Sequence, residues 1–532
     1  MTATGGIREE RQEAVELLGA DTSWDMVIIG GGITGVGVLR EAAREGYSVL
    51  LVEQQDFAWG TSSRSSKMVH GGLRYLASGD YRLTRDAVHE RERMMNEAPG
   101  LVDNLYYIMP HFRRQFPGPG LFGLLLRFYD FLAQRRTRRF FPGESVLRWV
   151  PGLRRDGLRG GTRFSDAVTD DARLVLRILQ EATRAGGRAI NYARALSVTP
   201  PGEQGEGRLT VHDELSERTY ELRARHIVHA TGAWTDKLRS QLGGQQRIRP
   251  LRGSHLVFPF WKLPVSVSLS LIHPRDHRPM FVYPWEGVTV VGTTDLDHDE
   301  DLQKEAVISR DELNYLLEAV HGAFPDAHLT EGDLISTWSG VRPVVSEGGG
   351  RRKKPSKEKR EHVIWNDQGV ISVAGGKLTT FRLIALEVLD HVRTDNGIRR
   401  EVDEQVFAPA PAMARPHALT AWQWQRLCGH YGSRITEVLN AGPLTPIGHT
   451  DTLLAELVWS CCHERIGHLD DLMLRRTRLG LLLPEGGEQW LDTIRAHCQP
   501  VLGWSDERWQ QERTRYRDLW HASYYRPSET PA

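Results

Sequence analysis

The sequence predicts an α/β chain, α+β overall, built around a dinucleotide-binding unit. Three observations predict it. Residues 25–53, DMVIIGGGITGVGVLREAAREGYSVLLVE, read as strand, glycine turn, helix and second strand. Residues 369–380 repeat the pattern of strand, glycines and helix start. Between the two units lies a strand-rich stretch whose apolar residues alternate with period two.

The first unit carries Gly30, Gly32 and Gly35 in GxGxxG order, with Thr34 inside the turn and Glu53 at the end of the second apolar run. The first glycine permits the turn, the second lets backbone approach a pyrophosphate, and the third lets helix and strand pack closely. The helix N-terminus presents free N–H groups and a partial positive charge to phosphate. Glu53 stands 23 residues after Gly30, where a ribose hydroxyl binds. The unit predicts FAD or NAD and does not choose between them.

At 532 residues the chain has room for two or three domains. Its 68 basic and 68 acidic residues balance, so nothing draws the whole chain toward nucleic acid. The four cysteines, Cys428, Cys461, Cys462 and Cys498, sit in the last quarter, fit a reducing cytoplasm and form no disulfide framework. Adjacent Cys461 and Cys462 lack zinc spacing and predict buried thiols on a helix, so no metal is expected. Residues 8–18 fit a short amphipathic helix, with no secretory signal and no apolar run of membrane-spanning length.

In chain order, 1–24 reads as a polar extension and 25–110 as the first part of the nucleotide domain. Residues 59–76 are dense in glycine and hydroxyls. Small residues there let backbone approach a flat ligand, and Lys67, His70 and Arg74 suit an anion. Residues 111–165 form an insertion. Within it 121–132 is apolar around most of a helix, while Arg113, Arg114, Arg127, Arg135, Arg136, Arg138 and Arg139 face one acid, Asp130. An anionic membrane surface and a buried helix with solvated arginines both fit this segment.

Residues 166–250 return to the nucleotide domain. They hold a helix over 170–185, a hairpin joining 209–211 to 220–222, and a strand at 226–230 that runs into Thr231 and Gly232. Residues 251–345 predict an antiparallel substrate-domain sheet, interleaved with the nucleotide domain. Its strands include 265–271, 280–283 and 288–291. Residues 346–400 form the third nucleotide part, opening on the exposed loop 348–360. Prolines 409, 411 and 416 mark a linker, and 410–532 is a C-terminal helical domain. Seven of the chain's 15 tryptophans lie in 417–523, and Trp422, Trp424, Trp459 and Trp490 read as helical core.

Several motifs together resemble the FAD-dependent glycerol-3-phosphate dehydrogenases of the D-amino-acid-oxidase-like flavoenzyme superfamily. They are SSRSSKMVHGGLRYL at 62–76, HATGAW at 229–234, RGSH at 252–255, GTTD at 292–295, SGVRP at 339–343, GGKLTT at 375–380 and LRRTRLG at 474–480. The resemblance spans nearly the whole chain and implies an FAD-binding two-dinucleotide fold. It implies cofactor contacts from Gly30, Gly32, Thr34, Gly35 and Glu53. The second segment would add Thr61, Ser62, Ser65, Ser66, Lys67, His70, Gly71 and Gly72. Further contacts would come from Ala230, Thr231 and Gly232, and from Gly375, Gly376, Leu378 and Thr379.

It also implies oxidation of glycerol 3-phosphate to dihydroxyacetone phosphate, with hydride passing to the flavin. Arg74, Tyr75, His255, Arg342, Arg360 and Lys377 would hold the substrate, since phosphate favours arginine. The C2 hydroxyl needs a proton acceptor, for which histidine is the default. His255 is preferred and His70 reads as a flavin neighbour. Arg342 or Lys377 would stabilise the developing alkoxide. Electrons would pass to membrane quinone, placing a cytoplasmic protein peripherally on the inner membrane. Oxygen as acceptor, an amino-acid or 2-hydroxy-acid substrate, and a non-oxidising flavin scaffold are the competing readings. Oligomeric state, a homodimer included, stays open.

Overall fold

The computed structural model describes residues 6–20, 22–73, 81–132, 136–202, 205–346, 361–393 and 405–527. Its strands, numbered in chain order, form two sheets. The first sheet follows from the 25–53 pattern. Strand β1 (Ser23–Ile29) lies between β2 (Val49–Val52) and β10 (Arg218–His229), with β7 (Arg188–Ile190) beyond β2 and β18 (Val370–Ala374) beyond β10. These five strands are parallel. Strand β17 (Val363–Asp367) closes one edge antiparallel, and β8 (Ala193–Thr199) and β9 (Gly207–Asp213) extend β10.

Successive residues of a strand point to opposite faces, and both faces of this sheet are covered. Met26 and Ile28 pack against helix α2 (Ile33–Arg44) and the helices Asp171–Arg184 and Phe381–Asp390. Val27 and Ile29 face the other way, toward Leu18 of helix α1 (Gly6–Gly19) and Leu238. That double burial explains why the C-terminal half of β1, Met26 to Ile29, is an unbroken apolar run.

The second sheet holds β11 (Ile248–Pro259) between β14 (Val288–Gly292) and β16 (Ser336–Val345), and continues through β13 (Pro279–Trp285) and β12 (Ser268–Ile272). It does not end there. Strand β12 pairs in parallel with β4 (Val102–Phe112), which pairs with β6 (Leu158–Thr169). Strands β3 (Met68–Val69) and β5 (Arg139–Pro142) flank β6, and β15 (Leu296–Asp297) caps β11.

Residues 111–165 are thus woven into the substrate sheet rather than inserted as a separate piece, and part of 25–110 joins the same sheet. A sequence pattern shows that a strand exists but not which sheet receives it. The strand expected over 265–271 begins only at Ser268, because Ser266 is tied outward to the Trp149 carbonyl (2.9 Å).

The C-terminal residues are helical, with helices Ala421–Tyr431, Leu454–His463, Leu491–Leu502 and Asp506–Ser523. Trp459 is buried, and Trp424 and Trp490 pack at the core margin. Trp422, expected in the core, is 48% exposed. Leu472, Met473, Trp509 and Trp520 share one apolar core with Trp285 and Trp338 of the second sheet.

Candidate active site and cofactor cleft

The C-terminal ends of β1, β10 and β18 open on a cleft of about 410 Å³. Crevices at the carboxyl ends of parallel strands are where ligands bind in such sheets. Gly30, Gly32, Thr34 and Glu53 line its first wall, and Thr61, Ser62 and Ser65 its second. Ala230, Thr231 and Gly232 form a third wall, and Gly375, Gly376, Lys377 and Leu378 a fourth.

The glycines are needed for close approach. A β-carbon on Gly30 (φ 112°) would sit 2.5 Å from the Ala230 carbonyl, and one on Gly35 would overlap the Gly30 carbonyl. The N-cap of α2 is Gly32, so no N-cap side chain competes for the helix's first N–H groups. The Ile33 N–H donates to Ser62 Oγ (2.9 Å), fastening the hydroxyl-rich segment to the turn. Glu53 accepts the N–H of Gly31 (2.6 Å) and of Gln55 (2.9 Å), and burial raises its pKa. Each carboxylate oxygen keeps a lone pair for a ribose hydroxyl. This elongated cradle, with glycines at two helix starts and an acid at one end, fits FAD.

Other expected cofactor residues lie behind these walls. Gly35 packs under the turn. The Gly71 N–H donates to Asp166 (3.0 Å), Gly72 adopts a left-handed backbone (φ 79°), and Thr379 donates to the His70 carbonyl (3.3 Å). Lys67 is placed quite differently from a cofactor contact. Its ammonium is fully buried, 2.9 Å from Asp171 and 3.0 Å from the Ser63 carbonyl. Lys67 is out of the cleft because a lysine side chain next to a buried carboxylate turns toward it. Arg74, Tyr75 and Arg360 fall outside the described residues.

Two catalytic candidates meet on the second sheet. Gly253 and His255 are two apart on β11 and so share a face. The His255 ring covers Gly292 of β14, and the Arg342 guanidinium, from β16, covers Gly253. Either β-carbon would overlap the ring or guanidinium above it. Arg342 is held by Asp295 (3.1 Å) and Thr293 Oγ1 (3.2 Å). His255 Nε2 lies 2.9 Å from Ser66 Oγ, and its ring stacks on Trp338 with centroids 4.8 Å apart. Burial, then Arg342 and Lys67, drives its pKa well below the ordinary histidine value, so the ring is a neutral base. Strand β16, which carries Arg342, borders the cleft, since Pro343 lines it and Thr61 Oγ1 donates to the Val341 carbonyl; His255 and Arg342 themselves lie behind that lining.

Sequence reasoning missed a buried charge cluster. Asp56 binds Arg475 and Arg476, and Arg475 also binds Asp470 (2.7 Å) and Asp471. Arg478 binds Asp170 (2.9 Å) and Asp171. LRRTRLG thus docks the C-terminal helices onto the nucleotide domain. The motif was visible; its distant partners Asp56, Asp170 and Asp171, 307 to 420 residues away, carried no local signal.

Comparison with known proteins agrees with this geometry. A family model described as FAD dependent oxidoreductase matches residues 25–382. A second, the C-terminal domain of alpha-glycerophosphate oxidase, matches 400–509. The chain is 35% identical over 400 residues to the aerobic glycerol-3-phosphate dehydrogenase of Bacillus subtilis, covering 74% of this chain and 70% of the relative. It is 30% identical over 493 residues to the Staphylococcus epidermidis protein of the same description, covering 86% and 87%. The solved structure of the Bacillus halodurans glycerol-3-phosphate dehydrogenase complexed with FAD aligns with TM-score 0.76 at 25% identity, covering 98% of each chain.

Proposed function

We propose a function from one premise: the chain belongs to the FAD-dependent oxidoreductase family, whose model spans most of it. It oxidises sn-glycerol 3-phosphate to dihydroxyacetone phosphate. The observation that carries this reading is the pairing of a neutral His255 with Arg342 on one sheet face, beside the strand whose Pro343 lines the cleft. Bound FAD supplies the hydride acceptor. His255 takes the proton of the C2 hydroxyl at an imidazole nitrogen; its depressed proton affinity keeps it free to do so at neutral pH. Arg342, oriented by Asp295 and Thr293, binds the anionic substrate and steadies charge on the C2 oxygen as its proton leaves. Lys377 lines the cleft beside Gly376 and supplies a cation there, as do Arg194 and Lys237.

Anaerobic glycerol 3-phosphate should bleach the flavin, whereas D-alanine and 2-hydroxyglutarate should not. Arg342→Ala should lower kcat/KM by roughly 100-fold or more, since a charge-assisted contact to phosphate is lost. Bleaching by an amino acid instead would sink the reading.

For the electron acceptor we propose membrane quinone, reached from a peripheral position on the cytoplasmic side of the inner membrane. Support comes from helix Pro119–Leu132. Phe122, Leu126 and Tyr129 turn inward, while Leu121, Leu124, Phe128 and Phe131 are exposed, Phe131 by 75%. Arg113, Arg114, Arg127, Arg136, Arg138 and Arg139 are exposed around it. Asp130 is spent locally, accepting from Thr137 and the Arg138 N–H. An apolar ridge rimmed by cations suits an anionic lipid surface. No described helix is long and apolar enough to cross a membrane. Peroxide release on turnover, with no binding to anionic vesicles, would favour oxygen as acceptor instead.

A further inference from the structure

Residues 63–67 are fixed at nearly every position. Ser65 donates both its N–H (2.9 Å) and its hydroxyl (2.7 Å) to Asp171, and its carbonyl accepts the Trp338 indole N–H (3.2 Å). The Ser66 carbonyl accepts the Tyr283 hydroxyl (2.8 Å). Lys67 holds a left-handed backbone (φ 56°) and reaches back to the Ser63 carbonyl. Its ammonium lies over two indole rings, 4.6 Å from the centroid of Trp338 and 4.9 Å from that of Trp285. Trp338 is the ring on which His255 stacks, and Ser66 provides the hydroxyl beside His255 Nε2. A buried cation is therefore one aromatic ring from the imidazole, and its neighbour in sequence bonds that imidazole.

The bland reading is an ion pair that serves the fold. Asp171, however, already has Arg478 as a partner, and a second buried cation beside it brings desolvation and repulsion. Burial and then the neighbouring Arg478 bring the pKa of Lys67 down to about 8, against the carboxylates Asp171 and Asp170, which raise it. The cations facing His255 are Arg342 from β16 and Lys67 from the 63–67 segment.

Taking His255 as the proton acceptor proposed above, we propose that Lys67 is a positioning residue for it. Lys67 fixes the ring through Ser66 and Trp338, and its ammonium repels a proton from the imidazole. With Nε2 held by Ser66, Nδ1 thereby stays open to the C2 hydroxyl.

Lys67→Gln removes the charge and keeps donors for Asp171 and Ser63; Lys67→Arg keeps the charge. Two readouts apply to the flavin-loaded protein. One is the rate of anaerobic flavin reduction against pH. The other is the titration of the His255 ring by NMR on labelled histidine, assigned against His255→Asn. In Lys67→Gln both the acid limb and the ring titration should rise by about one pH unit, and Lys67→Arg should restore them. A glutamine variant that keeps its flavin and titrates within about 0.2 unit of wild type overturns the proposal. If that variant loses flavin, Ser66→Ala tests the link from its other end. It should slow reduction about tenfold with flavin content unchanged, and an unchanged rate overturns the proposal. Wild-type protein that glycerol 3-phosphate does not reduce would instead refute the parent reading, and the ring titration would still report on Lys67.

Discussion

The cofactor cradle and the C-terminal dock are built on opposite principles. The cradle at 30–35 is backbone: glycines brought to within a carbonyl's reach of Ala230 and Gly30, and N–H groups at a helix start. The dock is side chain: Asp56, Asp170 and Asp171, fully or nearly buried, against Arg475, Arg476 and Arg478. Local chain geometry suffices for the turn and helix start of the cradle, though its other walls come from distant segments. The dock exists only where distant segments meet, and each charge there is costly without its partner. A fault in the cradle should therefore cost cofactor, whereas a fault in the dock should cost stability.

The largest effect is expected at the dock. Asp56→Asn leaves two buried guanidinium groups short of their shared carboxylate and should destabilise by about 3–5 kcal/mol, measured by urea unfolding. Loss of flavin with full stability would break the contrast.

Next comes the cradle. A β-carbon on Gly35 overlaps the Gly30 carbonyl, so Gly35→Ala should lose most bound flavin while costing about 1–3 kcal/mol. Flavin absorbance per protein, set beside apo-protein melting, separates the two effects.

The dock also sets an acid limit. Arginines hold Asp56, Asp170 and Asp470 below the ordinary carboxylate range in the folded state. Groups whose folded pKa is depressed give stability that is present above about pH 4 and lost as pH falls through the lowered values. Asp471, pushed up by burial and by Asp56, works against them. Tm should fall steeply below about pH 4 and less steeply in Asp56→Asn. The same acid slope in both proteins would place the limit elsewhere.

The smallest stability effect is expected on the surface helix. Leu124→Glu and Phe131→Glu change exposed residues and should alter stability by under about 0.5 kcal/mol, while weakening binding to anionic vesicles. A large drop in Tm would mean that the ridge is covered by protein.

The sequence by itself determined whatever depends on short-range geometry. Strand, turn and helix over 25–53 need only local glycine freedom and period-matched apolar residues, so β1, α2 and β2 fell where the pattern put them, as did β18 and the glycines after it. Family motifs extended that reading to FAD. The sequence also singled out His255 and Arg342 as residue types suited to the chemistry. Tertiary structure alone decided which neighbours each acquired. It gave Arg342 to Gly253 and Asp295, His255 to Ser66 and Trp338, and Lys67 to Asp171 rather than to the cleft. It sent β4 and β6 into the substrate sheet and LRRTRLG onto Asp56. Strand pairing and buried ion pairing depend on which distant groups are left without water, and a linear pattern does not record that.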